Sequence, residues 1–226
     1  MSAQPTTPER LTDTSVMPAL HTFFRREFRL AGGLVREVAD GDRRRAAVVA
    51  DHLDFLHRSL HEHHTVEDLV LWPLLLERVP EELAPIVHLM ESQHQRADAL
   101  LEEVGDLVPV FRAHAAAADR DRLADVLDTL YVHLVEHLDA EEERLLPIAA
   151  RSVSQAEWDR MGDVARSRSR RSDLTIWMGM VQHDADPTTF AGLLAEAPAP
   201  VRWLVPRLAR RRFRKHALKV HGTATP

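Results

Sequence analysis

The sequence contains no cysteine among its 226 residues. Disulfide bonds, zinc–thiolate sites and thiol catalysis are therefore excluded. Long apolar runs are also missing, because the longest uncharged apolar stretch, residues 174–181, is far shorter than the ~20 residues that span a bilayer. Residues 1–10 show neither the basic nor the apolar segment of a secretory signal. We therefore expect a soluble, cytoplasmic protein that has no membrane partner.

Glycine is sparse before residue 150, strand-like alternation is absent there, and apolar residues recur with helical periodicity. Asp42 is a good N-cap for a second helix, which Pro73 ends or kinks. Gly32–Gly33 in the first helix marks either a close packing point or a break, and the third helix weakens at Gly105 and Pro109. The pattern predicts four long helices over about residues 15–39, 42–71, 80 onward, and 119–151.

Charge is divided unevenly along the chain. Residues 1–150 carry a net charge of −13, whereas residues 151–226 carry +7. Such a split indicates parts with different roles. The basic run Arg210–Lys215 is interpreted as a solvated helix face against the acidic bundle, and we expect no nucleic-acid partner because no nucleic-acid motif accompanies it. The predicted parts are a flexible N-terminus (1–14), a helical bundle (15–151) and a basic helical extension (152–226).

An internal repeat carries the functional argument. The string HxxxE-x5-P begins at His63 and again at His137. A lone histidine precedes each copy at nearly the same spacing, His21 before the first and His94 before the second. Such self-similarity indicates a duplicated structural unit, here a helical hairpin. We predict an all-α, antiparallel four-helix bundle built from two αα-hairpin repeats, with a C-terminal helical extension.

Hairpin geometry is expected to bring the repeated side chains together. The first hairpin turns near residue 41, so His21 and His63 lie at similar heights, about 30 Å from the turn at ~1.5 Å per residue. The second hairpin gives the same result if it turns near residues 115–118. Because residues advance ~100° around a helix, both HxxxE pairs fall within apolar stripes. The stripe on the second helix comprises Val49, Leu53, Leu56, Leu60, Val70, Leu71 and Leu74.

These stripes place Glu67 and Glu141 inside the bundle. A buried carboxylate is strongly unfavourable unless it is paired or bound to a metal ion. Four inward histidines that converge on two inward glutamates therefore predict a dinuclear metal centre. Imidazole and carboxylate ligands without sulfur suit iron or manganese, with zinc as an alternative. The predicted metal ligands are His21, His63, Glu67, His94, His137 and Glu141.

Other polar residues near the motif have competing interpretations. His64 and Asp68 form a second i, i+4 pair, which we interpret as flanking because its helix face has fewer apolar neighbours. His133 lies one turn before His137 and either donates a hydrogen bond to a ligand or packs as a core histidine. Glu142 is interpreted as solvated.

Four segments of the chain resemble the hemerythrin-like (HHE cation-binding) family in order and spacing, over residues 15–150. The likeness is closest to actinobacterial hemerythrin-like proteins, whose chains also extend past the bundle. The segments that carry the resemblance are His21–Glu27, Leu60–Asp68 with Leu71–Pro73, Met90–His94, and His137–Glu142 with Leu146–Pro147.

The resemblance implies two iron ions joined by an oxo or hydroxo bridge. Glu67 and Glu141 would bridge both irons. The remaining ligands would be His21 and His63 on one iron, and His94 and His137 on the other.

One departure from the oxygen-carrying members of the family matters. Those members use five histidines, two of them four residues apart on the third helix, but here Met90 and Asp98 flank His94 at that spacing. Glu141 also follows its histidine by four residues rather than five. The resemblance therefore implies a more symmetric site with one imidazole fewer and an open coordination position.

From these observations we expect a non-haem di-iron protein that binds or reacts with a small oxidant: O2, hydrogen peroxide or nitric oxide. Catalase-like or peroxidase-like decomposition of peroxide is one such activity, and the sequence does not decide whether the chain is an enzyme. Two alternatives remain open: a non-enzymatic sensor or metal store that signals through residues 152–226, and a structural zinc site. The sequence does not indicate an oligomeric state.

Overall fold

The computed structural model describes residues 11–195 and 197–226, without the side chains of residues 80, 82, 84 and 87. Every regular element in this part is helical, which confirms the predicted all-α fold. Two π-helical turns, Glu67–Leu71 and Glu141–Leu145, join α2 to α3 and α5 to α6. The helices are α1 (Val16–Arg36), α2 (Arg43–Val66), α3 (Trp72–Arg78), α4 (Pro80–His114), α5 (Ala117–Ala140), α6 (Leu146–Ser152), α7 (Gln155–Arg168), α8 (Arg171–Asp184), α9 (Pro187–Gly192) and α10 (Ala199–His221).

The long helices α1, α2, α4 and α5 form the bundle. α1 packs against α5, α5 against α4, and α4 against α2. Both hairpin turns meet at one end, where the Gly41 N–H donates to the Ala115 carbonyl at 2.9 Å. At the other end α3 contacts α6, and Arg78 donates to the Ser152 carbonyl at 2.7 Å. The arrangement is the predicted pair of antiparallel hairpins.

The hairpin turns lie where the sequence predicts them. The Asp42 side chain accepts a hydrogen bond from the Arg45 N–H at 2.9 Å, which confirms it as the N-cap of α2. Ala115 ends α4 in the left-handed conformation, with φ of 49°. α4 itself continues through Gly105 and Pro109 without a break.

Gly32 is a packing point rather than a break in α1. A Cβ at this position would lie 2.1 Å from Oδ1 of Asp128 on α5, so only glycine permits this approach without a shift of that side chain. At Gly33, a Cβ would meet no described atom within 4 Å. α1 runs through both positions.

Each π-helical turn comes directly before one of the two repeated Trp/Leu–Pro pairs. A proline inside an α-helix removes one N–H and its ring clashes with the carbonyl four residues earlier. After each turn the backbone N–H donates instead to the carbonyl five residues earlier, from Trp72 to Glu67 and from Leu146 to Glu141. The helices therefore pass the prolines without ending, and the widened turns begin at the two repeated glutamates.

The extra residue in the first π-helical turn rotates the apolar stripe that follows it. Leu75 is fully buried, whereas the predicted stripe member Leu74 is only half-buried. The prediction for Leu74 assumed an unbroken α-helical register and was wrong by one residue for that reason.

The sequence predicts a flexible N-terminus over residues 1–14, and residues 1–10 of this segment lie outside the described residues. From residue 11 onward the chain contacts the end of α6. The Thr12 N–H donates to the Ala150 carbonyl at 2.8 Å, and its hydroxyl donates to the carbonyl of Val153.

The C-terminal extension packs along the α1–α2 side of the bundle. α8 and α10 pack on each other, α8 contacts α1, and α7 and α10 contact α2. The charged members of Arg210–Lys215 are exposed, as expected for a solvated face. Among residues 11–195 and 197–226, no helix combines the length and apolar character needed to cross a bilayer. The extension contributes Met180, Phe213, Ala217 and Val220 to the main apolar core.

Candidate metal centre

The six predicted ligands converge at one level of the bundle. α1, α2, α4 and α5 each supply one histidine, and each π-helical turn supplies its first residue, a glutamate. Apolar clusters lie on both sides of this level, one toward the hairpin turns and one toward α3 and α6. The side chains are 0% exposed for His21, His137 and Glu141, 1% for Glu67, 5% for His94 and 8% for His63.

Four of these side chains form a first group, made of His21, His63, Glu67 and Glu141. One donor atom from each lies within 4.8 Å of all the others. Nε2 of His21 is 3.3 Å from Oε2 of Glu141, and Nε2 of His63 is 3.2 Å from Oε1 of Glu67. Each imidazole therefore faces a carboxylate.

A second group adjoins the first and contains His64, His94 and His137, with donor atoms within 4.8 Å of one another. Nε2 of His94 is 3.3 Å from Nε2 of His137. It also lies 3.7 Å from Oε2 of Glu67, while Nε2 of His137 lies 3.9 Å from Oε2 of Glu141. Both carboxylates thus lie between the two groups.

The interpretation of His64 as a flanking residue was wrong. Its side chain is only 2% exposed, and its ring stacks on that of His94 with 4.3 Å between the centroids. The bundle therefore gathers five imidazoles rather than four, two in the first group and three in the second. The structure therefore gathers one imidazole more than the sequence predicts, and the two groups are unequal in histidine number.

The repeat did not indicate His64, because the second copy has no histidine at the equivalent position. The equivalent position in the second copy is Leu138, directly after His137, and this leucine is fully buried. Because the prediction used only residues present in both halves, it left out a buried histidine that one half alone supplies. The available signal was the spacing from Leu60, which puts His64 one turn beyond a stripe residue.

An acidic residue follows each repeated glutamate and accepts a hydrogen bond from a histidine of the opposite half. Nδ1 of His21 donates to Glu142 at 2.8 Å, and Arg25 donates to the same oxygen at 2.7 Å. Nδ1 of His94 donates to Asp68 at 3.1 Å. These bonds fix the ring tautomers and direct each Nε2 into the centre. The interpretations of Glu142 as solvated and Asp68 as flanking missed this role, although an acid in both copies was a visible signal.

His133 does not join the centre. Its side chain is 28% exposed, and its Nδ1 lies 3.3 Å from Glu136 on the same helix. The structure therefore brings it neither to a predicted ligand nor into the buried core.

Burial and mutual repulsion shape the ionisation of the centre. Burial, with the charges of Glu141 and Asp68, raises the pKa of Glu67 well above its ordinary value. Burial and the neighbouring imidazoles lower the pKa of His63 and of His137 well below the ordinary value. Neutral imidazoles are the form that binds metal ions.

His21 differs from the other imidazoles. Burial by itself lowers the pKa of His21, but the carboxylates of Glu141 and Glu142 outweigh it and raise the pKa. A negative charge on both sides of this ring attracts a positive charge to its position, whether a proton or a metal ion.

The donor atoms fit bound cations. Among the described residues, several buried atoms in the two groups lack a hydrogen-bond partner, and each such atom costs about 1–3 kcal/mol. Cations between these atoms would satisfy them and neutralise the paired carboxylates. The set contains nitrogen and oxygen but no sulfur, which suits iron, manganese or zinc. The unpartnered atoms include Nε2 of His21 and His63, both ring nitrogens of His64, and both oxygens of Glu67 and Glu141.

A cavity of about 2020 Å³ reaches the first group. His63 and Glu67 form part of its wall, together with Phe24. Residues of the extension, including Trp158 and Trp177, line other parts of it. The two-imidazole group therefore adjoins a cavity that the extension borders.

A helical bundle with buried, unpartnered histidine and glutamate donors at its centre defines a metal-binding helical protein. The family described as hemerythrin HHE cation binding domain matches residues 12–163, and the chain belongs to this family. No curated protein and no solved structure matches the chain. The closer likeness to actinobacterial hemerythrin-like proteins stays a prediction.

Proposed function

We propose that the chain is a non-haem di-iron protein that binds or reacts with a small oxidant: O2, hydrogen peroxide or nitric oxide. The observation that carries the proposal is the unequal division of five buried imidazoles around two shared carboxylates. His21 and His63 would hold one ion, and His64, His94 and His137 the other. Glu67 and Glu141 would bridge the two.

The unequal division supports an open coordination position. The ion held by His21 and His63 would receive one imidazole fewer than its neighbour, so it would keep more room for an external ligand. The same pair adjoins the large cavity, because His63 and Glu67 form part of the cavity wall. A vacant coordination position on that ion would therefore lie on the side of the centre that the cavity reaches.

The surrounding residues orient the imidazoles of the first group and pack against them. Glu142 holds His21, and the Phe24 ring packs 5.2 Å from that of His63. When bound, two irons supply Lewis acidity and a reversible change of oxidation state. Iron is proposed over manganese or zinc from the family resemblance, since the donor atoms suit all three metals.

The test is anaerobic purification of the full chain, metal quantitation, and exposure to each oxidant. We expect two irons that a Glu67→Gln/Glu141→Gln double variant loses. We also expect ligand-dependent changes in the near-ultraviolet and visible spectrum. The matched control is His133→Gln, which alters an imidazole outside the centre. This variant should retain both the two irons and the spectral changes. Sustained decomposition of peroxide would make the chain an enzyme rather than a binding protein.

Two results would contradict the proposal. A colourless protein whose double variant loses only zinc would favour a structural metal site. Iron that is bound but gives no spectral response to any of the three oxidants would favour a metal store.

A further inference from the structure

We propose that the chain has a second, mononuclear metal site, formed by Glu27, His52 and His221, which takes a divalent transition metal ion of the zinc type. The site lies outside the dinuclear centre and joins the extension to the bundle. It does not depend on the function proposed for that centre.

The three side chains come from three helices that meet at the junction of bundle and extension. Glu27 lies on α1, His52 on α2, and His221 is the last residue of α10. The side chains of Glu27 and His52 are 0% exposed, and that of His221 is 5% exposed. Such burial of a carboxylate and two imidazoles requires a compensating interaction.

The donor atoms are spaced as they are around a small metal ion. Nε2 of His52 and Nε2 of His221 each lie 3.1 Å from the same oxygen of Glu27, Oε2. One donor atom from each of the three residues lies within 4.8 Å of the others. Tetrahedral zinc with bonds of about 2.0–2.2 Å separates its ligand atoms by about 3.3–3.6 Å. An ion therefore requires only a small outward shift of the three side chains.

His52 lacks the hydrogen bond that its position suggests. Its Nε2 is buried and close to Glu27, yet it has no hydrogen-bond partner in the described part of the chain. Its other nitrogen, Nδ1, lies 3.1 Å from Nε2 of His216. If Nδ1 donates to His216, Nε2 carries the free lone pair that a metal ion requires.

The charges around the site also favour a cation. Arg26 donates to Oε1 of Glu27 at 2.6 Å and also to the carboxylate of Asp184. One guanidinium thus faces two carboxylates, and none of the three side chains is more than 9% exposed. With neutral imidazoles the cluster carries a net charge of −1, so its electrostatic field attracts a cation to the position between Glu27, His52 and His221.

The test uses the full chain, stripped of metal with a chelator and then titrated with Zn²⁺. Bound zinc is counted per chain after desalting, and circular dichroism monitors the fold. We expect His52→Gln and His221→Gln each to bind one zinc fewer than the natural chain. The matched control is His183→Gln, which alters a histidine on α8 whose ring packs against Phe213 of α10 with 5.0 Å between the ring centroids. This control should bind as many ions as the natural chain.

Unchanged stoichiometry in both folded variants would overturn the proposal. A second measurement removes the dependence on those variants. A His63→Gln/His137→Gln chain, with a defective dinuclear centre, should still bind one Co²⁺ with the visible absorption of a tetrahedral site. Failure of that chain to bind cobalt would also overturn the proposal. If the dinuclear centre alone is wrongly assigned, His63→Gln/His137→Gln retains the natural zinc count while His221→Gln loses one.

Discussion

Glu142→Gln is expected to weaken iron binding while the bundle stays folded. Glu142 accepts a hydrogen bond from Nδ1 of His21 at 2.8 Å, and this bond directs Nε2 toward Glu141, 3.3 Å away. Glutamine keeps an oxygen that can accept the bond but removes the negative charge that makes the imidazole a stronger ligand. Its amide must also share the site with Arg25, which donates to the same oxygen.

The magnitude follows from the position of the carboxylate. Loss of a partner that orients a metal-bound histidine typically costs about 10–100-fold in affinity, or about 1.4–2.7 kcal/mol. Glu142 is 29% exposed, so solvent screens part of its charge, and glutamine retains one bond. We therefore expect a loss near the lower end, about tenfold.

The assay is anaerobic competition for Fe²⁺ between the metal-free chain and a chromophoric chelator. Glu143→Gln is the matched control, because Glu143 is the exposed neighbour and carries the same charge. The reasoning is refuted if Glu142→Gln binds iron as tightly as the natural chain. It is equally refuted if Glu143→Gln weakens binding to the same extent, since a general charge effect would then explain both.

Two further predictions concern packing and the fifth imidazole. Gly179→Ala should lower the free energy of unfolding by about 1–3 kcal/mol, because the added Cβ would lie 2.4 Å from the Ala209 carbonyl oxygen. At Gly33 an added Cβ would meet no described atom within 4 Å, so Gly33→Ala should raise the free energy of unfolding by up to ~1 kcal/mol. Urea denaturation measures the free energy of unfolding of both variants. Changes of the same sign would contradict the difference in packing at the two glycines. His64→Gln should lower the affinity for one of the two irons at least tenfold. The same chelator competition measures this affinity. If the variant binds both irons as tightly as the natural chain, His64 is not a metal ligand.

Much of the fold follows from local patterns in the sequence. Helical periodicity, the N-cap at Asp42 and the turn near residue 41 depend on neighbouring residues, so the sequence indicates them directly. The turn near residue 115 has a weaker local signal, and the Gly41 N–H donates to its carbonyl from the other hairpin. The repeated HxxxE string lies within apolar stripes, and burial of those stripes brings its histidines and glutamates to one level. Their roles as metal ligands stay predictions, but their convergence needed only helix geometry and two equal hairpins.

The two halves differ at one position of the centre, and there the prediction was wrong. His64 has an apolar counterpart in the second copy, so the repeat did not indicate it. Its burial depends on ring contacts with His94 on α4 and His137 on α5. The stripe beyond Glu67 shifted by one residue because the chain widens into a π-helical turn there. No local pattern distinguishes that widening from the kink that Pro73 equally predicts.

The sequence by itself determined the four long helices, the two hairpins and six of the seven side chains at the centre, because each rests on periodicity within a single helix or on a repeat. Only the tertiary structure decided that Glu142 and Asp68 hold histidines of the opposite half. It alone brought His221, at the end of the last helix, to Glu27 and His52 on the first two helices. The first two contacts depend on how the two hairpins pack on each other, and the third on how the extension packs on the bundle. Neither packing leaves a periodic signal in the chain.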